Sequence, residues 1–167
     1  MGPSWLSDTE PAARVRTRGL SERSRAASGR SSSAQLFLIV YGGTADRLYP
    51  AGLLAARALE RGESVDVLLT FWALMAALKT PAAFANRVSR DYGTQGEAFL
   101  ELLHERVGAS WMDVMRQAQG GSLRVRACAF TLDLFDLTLD DLDPLVEDVV
   151  GIGSFIDEAE QGRLLVF

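Results

Sequence analysis

Two short apolar runs separated by a single one-sided helix do most to limit how this chain can fold. Leu36-Phe37-Leu38-Ile39-Val40 is uninterrupted, as strands buried on both faces of a parallel sheet are. It ends at Gly42-Gly43-Thr44. From about Arg47 to Arg61, the residues Leu48, Ala51, Ala55, Ala58 and Leu59 recur at helical spacing and give one apolar face. Thr44 or Asp46 can cap this helix, Pro50 fits its first turn and Gly62 can end it. Val65 to Phe71 reads as the next strand. The unit is β-α-β, and such crossovers are almost always right-handed with parallel strands.

The alternation continues. Trp72 to about Leu78 reads as a short helix broken before Pro81, and residues 80–93 form a connection without a usable period. Thr94-Gln95-Gly96-Glu97 has the form of a capping box, opening a helix that turns Phe99, Leu100, Leu103 and Val107 inward. Ser110-Trp111-Met112-Asp113 opens another, ended by Gly120-Gly121. Leu123 to Cys128 alternates as a strand does, and a helical turn or two follows from Thr131. Val146 to Val150 is a further short strand. Ser154 to Asp157 caps a last helix, and Leu164 to Phe167 is a terminal strand. The expected fold is α/β: a doubly wound, mainly parallel sheet with helices on both faces, flavodoxin-like, over residues 35–167.

Residues 1–34 differ in character. Six arginines stand there against Asp8, Glu10 and Glu22, among Ser, Gly and Ala with no sustained period. They read as a disordered Arg/Ser-rich tail. By contrast Ala129 to Glu160 holds ten acids and no Lys or Arg, and the whole chain carries a net charge of -5. An acidic body argues against nucleic acid as the main partner. No apolar run approaches the roughly 20 residues of a membrane span, and no signal-peptide core is visible, so a soluble, cytoplasmic protein is expected. Cys128 and His104 are the only cysteine and histidine. That excludes an intramolecular disulfide and a Cys/His metal cluster within one chain, and makes a Ser-His-Asp triad hard to build. No metal or other cofactor is called for.

Chemistry in open α/β sheets gathers at the carboxyl ends of the strands. Three segments land there: Tyr41 to Asp46, Thr70-Phe71-Trp72, and Cys128 to Asp133. Cys128 is the candidate catalytic residue. It ends a strand before a helix start, where the dipole favours thiolate, the reactive form. Thr131 can cap that helix or donate to the sulfur, while Asp133 and Asp136 oppose a nearby anion. An unpaired cysteine is also commonly a small buried hydrophobe. Gly43, Thr44 and Asp46 form a turn that either cradles a phosphate or simply reverses the chain. It lacks the established nucleotide-binding glycine patterns. Phe71 and Trp72 are core, interface or pocket residues.

The order of these motifs resembles the DsrE/DsrF/DsrH-like sulfur-carrier family, most closely its DsrE2-type, "peroxiredoxin-like" branch. Gly43-Thr44-Ala45-Asp46-Arg47-Leu48-Tyr49-Pro50 looks like the family's G-T-L-D-x-x-Y-P. Val67 to Leu74 looks like its second strand and T-F-[WY]-G-L segment. Cys128-Ala129-Phe130-Thr131-Leu132-Asp133 aligns with C-x-M-S-M-D, and Val150 to Phe155 with V-G-G-V-A-T-F. The resemblance implies a sulfur carrier that relays sulfane sulfur as a persulfide on Cys128. Thr131 and Asp133 would shape its pocket. Its partners would be donor and acceptor proteins with reactive thiols, and it would form a homo-oligomer. Phe130 and Leu132 stand where the family has methionines, and the family's Met-rich middle is replaced by Ala82 to Gly96. The alternative on the same fold is a non-catalytic binding or assembly module with a buried structural cysteine.

Overall fold

The computed structural model describes residues 35–167; the expected N-terminal tail lies outside the described residues. The chain alternates strand and helix throughout. β1 (Gln35–Val40), α1 (Ala45–Glu60) and β2 (Ser64–Leu69) form the expected β-α-β unit. After it come α2 (Phe71–Ala76), 3-10 turns at Ala83–Asn86 and Arg90–Tyr92, α3 (Gly93–Val107) and α4 (Trp111–Gln117). β3 (Ser122–Cys128), α5 (Ala129–Leu134), a 3-10 turn at Leu139–Asp141, β4 (Val146–Val150), α6 (Ile152–Ala159) and β5 (Arg163–Val166) complete it. All five strands are parallel, in the order 4-3-2-1-5. A flavodoxin has 2-1-3-4-5, with β2 and β3 beside β1; here β1 lies between β2 and the last strand, β5. Among the described residues no helix is long and apolar enough to cross a membrane.

Strand alternation divides the core into two unequal layers. Leu36, Leu38, Val40, Val65, Val67, Leu69, Val125 and Ala127 face α1 and α4, meeting Leu48, Ala55, Leu59, Trp111 and Met115. The opposite face is smaller: Phe37, Ile39, Leu68, Cys128 and Val150 meet Phe155 and Ala159 of α6. Phe37 and Phe155 make an edge-to-face pair, 5.6 Å between centroids.

Several local expectations are corrected. α1 starts at Ala45, so Pro50 lies inside the helix rather than in its first turn, and Thr44 is the N-cap without a side-chain cap bond. The Thr94 capping box does not form, because Gly93, at φ +50°, already turns the chain from the preceding 3-10 turn into α3. Phe99 is exposed rather than inward, since α3 buries only Gly96 among its residues. α5 begins at Ala129, two residues before Thr131, and α6 begins at Ile152 with Gly151 as N-cap, ahead of the expected Ser154. Ser110 does cap α4: its hydroxyl accepts from the Asp113 amide at 3.1 Å and donates to the Asp113 carboxylate at 2.7 Å.

Candidate functional site

The residues expected to share one site are separated into three settings. Gly43, Thr44 and Trp72 line a cavity at the carboxyl end of β1, with Gly42, Arg47, Phe84, Arg87 and Arg90. Its volume is about 560 Å³. Strand order reverses at β1, whose neighbours are β2 and β5, and this is the topological position where open α/β sheets bind ligands. A main-chain oxygen of Phe167, just past β5, accepts from the amides of Tyr41 and Gly42.

The charge of this cavity runs against that of the domain. Residues 35–167 hold nineteen acids and eleven basic residues, yet three arginines and no carboxylate line the space. Arg87 and Arg90 have no ion-pair partner among the described residues, and Arg47 has only a long contact, Nε to Asp46 Oδ2 at 3.9 Å. The segment bearing Arg87 and Arg90 is fixed to the start of α1. The Ala45 amide donates to the Arg87 carbonyl at 2.7 Å, and the Ser89 amide donates to Asp46 Oδ1 at 2.9 Å. Asp46 is thus a positioning residue for the arginines, and its carboxylate borders a neighbouring 330 Å³ cavity lined by Val88, Tyr92, Gly96 and Phe99.

Gly43 allows the aromatic wall to close on the turn. A Cβ there would lie 2.5 Å from both the Trp72 carbonyl oxygen and Phe84 Cε2. Gly43→Ala is therefore expected to destabilise the domain by about 1–3 kcal/mol through overpacking, read by urea unfolding. A neutral result would mean that the Trp72 turn gives way freely.

Phe71 and Thr131 belong to a second setting, the junction of β2 with α5. Phe71 sits at φ +47°, left-handed backbone that a large side chain rarely adopts. Its amide donates to Thr131 Oγ1 at 3.1 Å, and the Thr131 and Thr70 hydroxyls are 2.9 Å apart. Thr131, fully buried, therefore ties two strand ends together; it neither caps α5 nor bonds the sulfur. Asp133 is exposed on α5.

Cys128 is the third setting. It is the N-cap of α5, but its side chain is 2% exposed and packed under α6, and it lines neither cavity. Beside it on the same sheet face lies a buried ionic network. Arg126 donates from Nε to Asp66 Oδ1 and from Nη2 to Asp66 Oδ2, each at 2.9 Å. It also donates to both Glu158 oxygens, at 2.9 and 3.2 Å. Arg124 Nε donates to Asp66 Oδ2 at 2.7 Å, and the Arg126 guanidinium lies 5.0 Å from the Phe155 ring centre. Burial raises the Asp66 carboxyl above its usual value against the pull of Arg126 and Arg124. Burial also opposes charge on Arg126, but Glu158 and Asp66 outweigh it and hold the guanidinium protonated. The network couples α6 to the sheet.

No protein-family model matches the chain, and no curated protein does. The fold is similar to a solved structure from Methanobacterium thermoautotrophicum, the protein of unknown function MTH1491. The TM-score is 0.51 and the identity 15%, over 81% of this chain and 100% of that one. At that identity the likeness concerns the fold alone.

Proposed function

We propose that the domain is a binding module for a small anionic ligand, with its working site in the cavity at the carboxyl end of β1 and with Cys128 in a structural role. One observation carries this reading: three arginines and no carboxylate line a ligand-sized space at the reversal point of an otherwise acidic domain. Guanidinium groups are the preferred partners of phosphate-like oxyanions. Guanidinium groups lining one space repel one another, and an anion bound among them relieves that repulsion. In the full chain, inorganic phosphate at ten times its dissociation constant is expected to raise the melting temperature by about 3 °C relative to chloride at equal ionic strength. Arg87→Gln/Arg90→Gln should abolish the rise. A wild-type chain indifferent to phosphate and sulfate alike would overturn the reading.

Sulfur relay is the second reading, favoured by the place of Cys128 at the carboxyl end of β3 under a single eight-residue helix. In it the Cys128 thiolate attacks the outer sulfur of a donor persulfide, forming Cys128 persulfide and releasing the donor as a thiol, after α6 has moved aside. Both readings keep self-association as part of the proposal. The turns after β1, β2, β3 and β4 each present an exposed large apolar residue: Tyr41, Phe71, Phe130 and Ile152. A row of this kind supports contact between copies. Light scattering at micromolar concentration is expected to show more than the monomer mass; a monomer throughout would remove this part.

A further inference from the structure

We infer that the ligand of the basic cavity is a phosphate monoester whose alcohol carries a planar ring, a mononucleotide being one example. This rests on the anion-binding reading above and names the other half of the ligand. The cavity lining combines two chemistries. Arg47, Arg87 and Arg90 supply charge; Trp72 and Phe84 supply aromatic surface. The two rings meet edge-to-face, 5.7 Å between centroids at 83°, so they form a corner rather than a flat stack. Trp72 is 55% exposed, an unusual state for an indole with no partner covering it. Phe135 packs against it, 6.1 Å between ring centroids. The Trp72 carbonyl and Phe84 approach Gly43 so closely that a Cβ there would lie 2.5 Å from each.

Size points the same way. At about 560 Å³ the cavity falls in the range of small-molecule sites, about 300–1,000 Å³, and a bare inorganic anion leaves most of it unfilled. A ring on the phosphate covers the indole and stays attached to the group that the arginines hold. The charge comes from side chains and not from a glycine-rich phosphate loop, which is why the turn sequence carries no nucleotide motif.

The test is calorimetric titration of the full chain with inorganic phosphate, phenyl phosphate, adenosine 5′-monophosphate and phenol, at fixed ionic strength. Phenyl phosphate and the nucleotide are expected to bind about tenfold more tightly than inorganic phosphate, with phenol not binding, since stacking on an aromatic side chain contributes about 1–3 kcal/mol. Trp72→Leu, and separately Trp72→Ala, should bring the esters down to the affinity of inorganic phosphate while leaving that affinity in place. Trp72 is mostly solvated, so neither change empties the core. Arg87→Gln/Arg90→Gln should abolish binding of all the phosphates. Equal affinity for phosphate and its aromatic esters would overturn the inference and leave the anion-binding reading standing. Absence of binding by every phosphate would overturn both.

Discussion

Asp66→Asn is expected to lower the free energy of unfolding by about 3 kcal/mol, seen as a reduced urea midpoint with an unchanged slope. The effect arises on the arginine side. Arg126 is 3% exposed and directs Nε and Nη2 at the two carboxylate oxygens. Asparagine keeps one acceptor and turns an amide N–H₂ toward a guanidinium donor, so a buried charge loses half of its closest pairing and meets a donor instead. Removal of one partner from a buried pair costs about 3–5 kcal/mol. The lower end applies because the raised Asp66 carboxyl marks a desolvation cost that the variant no longer bears, and because Glu158 remains. Glu158→Gln should cost only about 1 kcal/mol, since the Glu158 side chain is 38% exposed and water can replace it. A loss below 1 kcal/mol for Asp66→Asn would show that solvent reaches Arg126 in the native fold.

What could be read from the sequence follows from the distance over which each signal acts. The β-α-β unit was legible because its apolar period and its stop at Gly62 lie within one stretch from Leu36 to Leu69. Cys128 at a strand's end was legible for the same reason. Its burial was not, because that depends on α6, whose Phe155 and Ala159 arrive later in the chain to cover the second face of the sheet. The ionic network left a local trace in the alternation of Arg124 and Arg126 with Val125 and in Asp66 within an apolar run. The pairing itself joins residues 58 and 60 positions apart. Arg87 and Arg90 lie in the connection of residues 80–93, where no period exists to orient them. Their place is set by the Asp46 carboxylate and the Ala45 amide, reached across more than 40 positions of chain. Phe99 was expected inward from helical spacing alone, and spacing cannot tell whether a neighbour is present to receive the face.

Cys128 is expected to react with a soluble aromatic disulfide at least about 100-fold more slowly in the native chain than in urea. The sulfur is reached only when α6 lifts from Phe37, Ile39 and Leu68, and a local opening of about 3 kcal/mol sets a factor of that size. Two substitutions test whether α6 is the cover. Phe155→Ala removes the edge contact with Phe37 and the ring beneath Arg126, and Asp66→Asn weakens the network that holds Glu158 to the sheet. Each should speed labelling under conditions where the chain is still folded, whereas Trp72→Leu, at the far cavity, should leave the rate alone. Intact mass after incubation with polysulfide then separates the two functional readings. A binding module with a structural cysteine gains no sulfur while native. A relay protein gains one sulfur, reversibly with reductant and not in Cys128→Ser. Fast native labelling together with that gain would move the chemistry from the arginine-lined cavity to the end of β3 and make α6 its gate.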